Sequence, residues 1–260
     1  MNLQMRDKVI LITGGGKGIG AAIVRETATE GAIPVIVDRD AAATQALQED
    51  LRSKGVRCGV IGTELAAADN CRQAVERTVK EFGRLDALVN NAGVNDRVGL
   101  EQGTPEQYVI SLQRNLLHYY NMAHYALPYL KAAKGSIVNI ASKTAVTGQG
   151  GTSGYASSKG AILALTREWA VELLPYEIRV NAVVPSEVMT PLYRDWLNTF
   201  PDPEQVLQKI VSKIPLGRRM TAPEEIAAMV TFLLSEKASH VTGQHLYVDG
   251  GYVHLDRALL

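Results

Sequence analysis

The stretch KVILITGGGKGIGAAIVRETATEGAIPVIVD, residues 8–38, decides the fold of this chain of 260 residues. A short apolar run leads into a glycine-rich turn, the turn leads into residues with a helical spacing of apolar side chains, and a second apolar run follows. Neither run alternates polar and apolar residues, as is typical of strands that are buried on both faces of a sheet. The stretch therefore predicts a βαβ unit with two parallel strands.

The same rhythm continues to the end of the chain. The apolar runs that we interpret as strands are 8–13, 33–38, 59–62, 87–90, 136–141, 179–184 and 245–249. Longer stretches with apolar residues at three- and four-residue spacing separate these runs and predict helices. The pattern indicates an α/β fold, a doubly wound (Rossmann) parallel sheet of about seven strands with helices on both faces. Because no Pro-, Ser- or Gly-rich linker interrupts the rhythm, we expect a single domain over residues 1–260.

Composition excludes several classes of protein. The chain has 27 Lys and Arg against 27 Asp and Glu, so it offers no basic surface for a nucleic acid. Cys58 and Cys71 stand apart, which is not the spacing of a zinc site or a disulfide framework. His118 and His124 are not at the i, i+4 spacing of a helical metal site, so we expect no metal. The apolar run near the start is too short for a signal peptide or a membrane span, which favours the cytoplasm and no membrane partner.

The glycine-rich turn is the first candidate binding site. It follows a predicted strand and opens a predicted helix, where backbone N–H groups and a helix N-terminus can bind a pyrophosphate. The second strand ends at Asp38, whose carboxylate can accept hydrogen bonds from an adenosine ribose. A carboxylate there favours NAD because it repels the 2′-phosphate of NADP, whereas Lys17 and Arg39 offset part of that repulsion. NAD is therefore the predicted cofactor, and use of NADP stays open.

A tyrosine, a lysine and a serine form the second candidate site. Tyr155 and Lys159 are four residues apart in a long helical pattern, so their side chains emerge on one face. An ammonium beside a phenol favours the phenolate and would lower the pKa of Tyr155 towards that of a general base. Ser142 ends a predicted strand, where parallel sheets present ligand-binding residues, and its hydroxyl can hydrogen-bond a reacting oxygen.

The order of these motifs resembles the short-chain dehydrogenase/reductase family over essentially the whole chain. The shared motifs are T-G-x-x-x-G-x-G at residues 13–20, N-N-A-G at residues 90–93, an Asn at position 115, a Ser at position 142, Y-x-x-x-K at residues 155–159 and a variant of P-G-x-x-x-T at residues 185–190. The resemblance implies that Tyr155 is the acid/base, that Lys159 lowers its pKa and holds a ribose, that Ser142 orients the reacting oxygen and that Asn115 supports a proton relay. Ser186 departs from the usual glycine of the last motif.

The residues expected at the dinucleotide follow from the turn, the acidic residue and this resemblance. They are Gly14, Gly16, Lys17, Gly18, Ile19, Gly20, Asp38, Arg39, Glu64, Leu65, Asn91, Ala92, Gly93, Tyr155, Lys159, Pro185, Val188 and Thr190. Glu64 stands where the family more often has an Asp, so its contact with the adenine is an open point.

The loops expected near the reacting centre are polar, which suits a substrate rich in hydroxyls because an apolar ligand would leave buried polar groups unpaired. Residues 93–101 also resemble the L-fucose dehydrogenases within the family, which implies oxidation of the anomeric hydroxyl of L-fucose, or of D-arabinose or L-galactose, to a lactone. The expected substrate residues are Asn95, Asp96, Ser142, Lys143, Gln149, Tyr155, Glu187, Tyr193 and Trp196. The alternatives are a 3-oxoacyl-carrier-protein or hydroxysteroid reductase and a non-catalytic NAD-sensing protein.

Two features bear on motion and assembly. Residues 190–214 have a helical pattern with Tyr193, Trp196 and Phe200, which predicts either a lid over the substrate or a surface helix pair. The helix that begins near Tyr155 carries more apolar residues than one buried stripe needs, which favours a subunit interface. The family resemblance implies a homotetramer.

Overall fold

One sheet of seven parallel strands organises the chain. The computed structural model describes residues 2–255. The strands β1 to β7 span Val9–Thr13, Ile33–Asp38, Gly59–Gly62, Ala87–Asn90, Ser136–Ile140, Arg179–Pro185 and His245–Val248. All seven predicted strands are present, and no bound differs from its prediction by more than one residue.

Helices cover both faces of the sheet, as predicted. The helices α1 to α9 span Gly18–Thr29, Ala41–Ser53, Ala68–Phe82, Pro105–Leu112, His118–Ala133, Ser153–Glu172, Pro191–Leu197, Pro203–Val211 and Pro223–Leu234. Helices α3, α5 and α6 share one apolar core with Val9 and Leu11 of β1, whereas α1, α2 and α9 share the other core with Ile10 and Ile12. Successive side chains of a strand point to opposite faces, so every residue of β1 must be apolar or small.

The strand order places a crevice at the centre of the sheet. The order is β3-β2-β1-β4-β5-β6-β7, so the chain moves outward from β1 through β2 to β3 and then returns to lay β4 on the other side of β1. The loops after β1 and β4 leave the sheet side by side at the point where the direction reverses, which is where doubly wound sheets bind ligands.

The segment 190–214 forms the predicted helices α7 and α8. It is attached to the body mainly through α7 and its ends, because Leu197 and Ile214 are buried whereas α8 buries no side chain. Tyr193, Trp196 and Phe200 pack edge to face, with ring centroids about 5 Å apart. The helical prediction is confirmed, and movement as a lid stays a prediction.

Helix α6 buries more of its apolar residues within the chain than we expected. Ile162, Leu163 and Trp169 of α6 lie in the core with Leu173, which follows the helix, and Val171 is left largely exposed. Within residues 2–255, we find no helix with the length and apolar character needed to cross a membrane.

Candidate active site

A cleft of about 680 Å³ runs along the carboxyl ends of the strands. Every residue predicted at the dinucleotide lines this cleft except Gly16. Ser142, Tyr155 and Tyr193 line it as well, together with Arg114 and His118, which the sequence analysis did not place there. The predicted cofactor residues other than Gly16 therefore converge with Ser142 and Tyr155 on one cavity at the predicted edge of the sheet.

The glycine-rich turn allows the protein backbone to approach a ligand closely. Gly14 and Gly18 have φ values of +61° and +54°, which favour glycine. A Cβ on Gly20 would lie 2.0 Å from the Gly14 carbonyl oxygen. Within the described chain, the first turn of α1 has no side-chain cap and no acidic residue, so its N–H groups are free for an anion. The turn thus fits the pyrophosphate of a dinucleotide.

The segment after β4 holds the turn in place. The Asn91 Nδ2 donates to the carbonyl oxygens of Thr13 and Gly14 at 2.9 and 3.0 Å, and the Thr13 hydroxyl accepts from the Asn91 and Ala92 N–H groups. Asn91 therefore fixes the two loops of the crevice to each other rather than pointing freely into it.

Asp38 lies at the end of β2 beside the turn. Its carboxylate accepts from the Gly16 N–H and the Asp40 N–H, both at 3.0 Å, which explains why Gly16 stands behind the cleft wall. Lys17 pairs with Asp40 and Arg39 pairs with Glu64. Each of the two cations that we expected to offset the Asp38 charge is therefore already paired with another carboxylate.

Ser142, Tyr155 and Lys159 meet at the other end of the cleft. Ser142 comes two residues after β5, and α6 carries Tyr155 in its first turn and Lys159 one turn later. The Lys159 Nζ lies 5.6 Å from the centre of the Tyr155 ring. It donates hydrogen bonds to the Tyr119 hydroxyl at 3.0 Å and to the Ile140 carbonyl oxygen at 2.7 Å. The constellation predicted from spacing is thus assembled around the end of β5.

Burial is the largest influence on the pKa values of Tyr155 and Lys159. It raises the pKa of Tyr155, and an interaction with the Ser142 hydroxyl opposes part of that rise. Burial also lowers the pKa of Lys159 to about 7. In the chain by itself, burial therefore outweighs any lowering of the Tyr155 pKa by the neighbouring ammonium, because desolvation penalises phenolate and ammonium alike, and the lowering expected beside a bound dinucleotide stays a prediction.

Asn115 lies in a π-helical turn, Gln113–Leu117, between α4 and α5. Its side chain is fully buried and is used for structure: Oδ1 accepts from the Val94 N–H at 2.7 Å and Nδ2 donates to the Ser111 carbonyl oxygen at 3.0 Å. It does not line the cleft. The amide therefore holds the loop after β4, and a part of Asn115 in a proton relay stays a prediction.

The sequence did not predict a role at the site for His118 and Tyr119, the first two residues of α5. His118 is 2% exposed, and its Nε2 bonds the Arg114 carbonyl oxygen at 3.0 Å, so Nε2 carries the proton. Burial lowers the pKa of His118 to about 4. Within the described residues its Nδ1 has no partner. The sequence signal that could have placed His118 and Tyr119 near the site is their spacing of three and four residues from Asn115, which puts them on the same helix face.

Three of the predicted substrate residues form a partly buried network, in which Tyr193 lines the cleft whereas Lys143 and Glu187 do not. Lys143, next to Ser142, pairs with Glu187, and the Tyr193 hydroxyl donates to the other carboxylate oxygen at 2.7 Å. The ammonium also lies 4.1 Å from the centre of the Tyr252 ring. Burial and the Glu187 charge raise the pKa of Tyr193. This network joins the end of β5, the loop after β6 and α7.

A second cavity of about 520 Å³ adjoins this network. Its lining residues are Lys143, Thr147, Gly148, Gln149, Lys213, Tyr252, Val253 and Leu255. Gln149 was predicted beside the reacting centre; it is exposed and lines this second cavity rather than the cleft.

The other expected substrate residues are directed elsewhere. Asn95 is exposed and accepts from the Arg97 N–H, and the Asp96 carboxylate accepts from the Ser111 hydroxyl at 2.8 Å. Trp196 packs between two aromatic rings of the 190–214 segment. None of the three lines the cleft, because each satisfies a local turn, a neighbouring helix or an aromatic stack.

Comparison with known proteins adds relatives over almost the full chain. A family model described as Enoyl-(Acyl carrier protein) reductase matches residues 14–253. L-fucose dehydrogenase of Bos taurus is 37% identical over 253 residues, which are 96% of this chain and 91% of that protein. The 3-oxoacyl-[acyl-carrier-protein] reductase FabG of Thermotoga maritima is 35% identical over 96% of this chain and its own full length.

Solved structures are likewise similar to this chain over almost its full length. The crystal structure of Cj0485 dehydrogenase superposes with a TM-score of 0.94 at 46% identity and covers 99% of this chain and 98% of that one. L-Sorbose reductase from Gluconobacter frateurii, complexed with NADPH and L-sorbose, gives a TM-score of 0.93 at 28% identity over 98% and 100% of the two chains. From its sheet, its cleft and these relatives, the chain belongs to the short-chain dehydrogenase/reductase family and is an oxidoreductase with a nicotinamide dinucleotide as cofactor.

Proposed function

We propose that this chain oxidises the anomeric hydroxyl of a sugar to a lactone with NAD⁺, and that L-fucose, or the related D-arabinose or L-galactose, is the substrate. The observation that carries the proposal is the partly buried network of Lys143, Glu187 and Tyr193, in which Lys143 follows Ser142 in the chain and Tyr193 lines the cleft. A carboxylate can accept about four hydrogen bonds and an ammonium can donate three, so both groups keep capacity for sugar hydroxyls. An apolar substrate such as a steroid would leave that capacity unused in a partly buried site.

The three residues at the end of the cleft divide the work on the substrate. The Tyr155 phenolate takes the proton of the anomeric hydroxyl, and the Ser142 hydroxyl holds the same oxygen as it becomes a carbonyl oxygen. Lys159 holds the ribose next to the reacting ring and supports the phenolate. The bound dinucleotide supplies the acceptor for the hydride that leaves the anomeric carbon. The protein contributes alignment and a water-poor site.

The residues around Asp38 support NAD as the cofactor of this reaction. Lys17 and Arg39 face three carboxylates, those of Asp38, Asp40 and Glu64, so the local charge is negative where NADP would place its 2′-phosphate. Like charges at this range repel by about 1 kcal/mol or more, depending on solvent. We propose that the glycine-rich turn holds the pyrophosphate and that Asp38 accepts from the ribose.

A substrate screen tests the proposal. The purified chain is supplied with NAD⁺ and each of the three sugars, and formation of NADH is followed by absorbance. The same preparation is supplied with NADH or NADPH and an acetoacetyl thioester or a keto steroid. Turnover of at least one sugar above both other classes supports the proposal, whereas turnover confined to thioesters or steroids refutes it.

A reductase of 3-oxoacyl-carrier-protein substrates is the second candidate. It is favoured by the FabG relative and by the description of the family model. It would use the same Ser142, Tyr155 and Lys159, so the difference lies in the pocket. The Lys143–Glu187 pair argues against it, because beyond its 3-oxo group an acyl chain is hydrocarbon and offers no hydroxyl to the two charges.

Assembly and domain organisation stay proposals. We propose a homotetramer, because Val109, Ile110, Leu117 and Tyr120 leave exposed apolar surface on neighbouring turns from α4 to α5. We also propose that residues 1–260 act as one domain in which 190–214 closes over the substrate. Cys58 and Cys71 are free thiols, which favours the cytoplasm. Light scattering of the purified chain tests the assembly.

A further inference from the structure

Lys159 has a buried neighbour, Tyr119, to which the proposed reaction assigns no role. Tyr119 lies in the first turn of α5 and is 0% exposed. Its hydroxyl accepts from the Lys159 Nζ at 3.0 Å and donates to the Ile140 carbonyl oxygen at 3.0 Å. The Lys159 Nζ donates to that same carbonyl oxygen at 2.7 Å. Amine, phenol and carbonyl thus form a closed triangle two residues before Ser142.

We propose that Tyr119 is a positioning residue that keeps Lys159 protonated and pointed at Tyr155. The inference deepens the proposed function and rests on it for the roles of Lys159 and Tyr155. Tyr119 acts through Lys159 and has no place among the cleft-lining residues.

The argument begins with the three donors of an ammonium. The Tyr119 and Ile140 oxygens take two of them, so the third is directed to the cleft and its ligand. Since the site is buried, water does not replace a lost partner at low cost. The Tyr119 phenol therefore restricts the amine to one orientation as well as binding it.

The same two oxygens favour the charged form of the amine. Both carry partial negative charge, and a hydrogen bond to the charged form of a group stabilises that form. Burial acts in the opposite direction and brings the pKa of Lys159 to about 7. Charged and neutral forms are thus closely balanced near neutral pH, so the loss of one oxygen partner shifts the balance measurably.

Only neutral groups among the described residues around the Lys159 amine are available to stabilise its charged form. Among the described residues, the titratable groups around the amine are Tyr155 on α6 and Tyr119 and His118 on α5, while β5 supplies only the Ile140 carbonyl and leads to the Ser142 hydroxyl. His118 is neutral above pH 5 because burial lowers its pKa to about 4. Within that set no carboxylate pairs with Lys159.

The test replaces Tyr119 with Phe, which removes the oxygen and keeps the ring. Tyr129→Phe is the matched control, since Tyr129 is half-buried on the same helix and makes no side-chain hydrogen bond within the described residues. In Tyr119→Phe, the loss of support for the ammonium makes the Tyr155 phenolate harder to form. We expect the acid limb of kcat for sugar oxidation to move about one pH unit upward. Below the midpoint this is a tenfold loss, equivalent to about 1.4 kcal/mol.

The KM for the sugar and the alkaline plateau of kcat should change less than threefold, and Tyr129→Phe should reproduce the wild-type profile. A uniform loss of kcat with an unmoved acid limb would mean a merely structural role and would overturn the proposal.

Dinucleotide binding provides a readout that needs no substrate. The dissociation constant of NADH is measured by protein fluorescence between pH 6 and 9 for the three proteins. We expect binding to weaken as Lys159 loses its proton, and this weakening to begin about one pH unit lower in Tyr119→Phe. If no sugar is turned over, the proposed function fails while this comparison still decides the role of Tyr119. Coincident binding curves for Tyr119→Phe and wild type refute it.

Discussion

Replacing Glu187 with Gln tests whether the partly buried network serves the substrate or only the fold. The side chains of Lys143 and Glu187 are 10% and 14% exposed. Removing one partner of such a pair leaves an uncompensated charge and costs about 3–5 kcal/mol when burial is complete. Lys143 keeps its contact with the Tyr252 ring at 4.1 Å, which is worth about 1 kcal/mol. We therefore expect Glu187→Gln to lower the free energy of unfolding by about 2–3 kcal/mol.

The double variant Lys143→Met/Glu187→Leu separates stability from recognition. An apolar pair of similar volume commonly matches a buried ion pair in stability, so the free energy of unfolding should return to within about 1–2 kcal/mol of wild type. Part of the remaining difference is the Tyr193 hydroxyl, which loses its acceptor. Urea unfolding measures all three proteins.

Sugar recognition should not recover in the double variant. If hydroxyls of the sugar bind the network, KM for L-fucose rises at least tenfold in both variants, which is a loss of about 1.4 kcal/mol or more. The exposed pair Arg39–Glu64 gives the comparison, because Glu64→Gln should change stability by less than about 1 kcal/mol. A double variant that is stable and retains the wild-type KM would refute the assignment of this network to the substrate.

Four further outcomes follow from the geometry. Tyr155→Phe should abolish turnover while fluorescence titration still shows dinucleotide binding within about threefold of wild type, and unchanged turnover would remove the proposed mechanism. Gly20→Ala should prevent dinucleotide binding, because the new Cβ would lie 2.0 Å from the Gly14 carbonyl oxygen; normal binding in the same titration contradicts this. Asp38→Ala should improve kcat/KM with NADP relative to NAD at least tenfold, and an unchanged ratio would show that another group sets the preference. Because the pKa of His118 falls to about 4 on folding, the unfolded chain binds more protons between pH 6.5 and 4, so stability should fall by about 3 kcal/mol over that range; urea unfolding should show a smaller fall for His118→Gln, and an equal one would contradict this origin.

The sheet was accessible from sequence because its strands are buried on both faces. Val9 and Leu11 face one core and Ile10 and Ile12 the other, so β1 must read as a continuous apolar run. The glycine-rich turn was equally readable, since a side chain at Gly20 has no room. Such requirements act on single positions or on neighbours along the chain, where a sequence records them directly.

The substrate residues were predicted less accurately than the dinucleotide residues, because the orientation of a polar loop side chain depends on partners that are distant in sequence. Asn95, Asp96, Gln149 and Trp196 are close in sequence to motif residues, yet each points to a turn, a helix, another cavity or an aromatic stack. Sequence proximity to a motif does not determine the direction of a loop side chain.

By itself, the sequence determined the βαβ order, the strand bounds to within a residue, the turn that fits a pyrophosphate and the shared helix face of Tyr155 and Lys159. Only the tertiary structure decided what surrounds those two side chains. The Tyr119 phenol reaches Lys159 from another helix, and Glu187 reaches Lys143 from the loop after β6. Patterns of period two and 3.6 describe one element at a time, whereas burial, pairing and the resulting pKa values depend on which elements pack together.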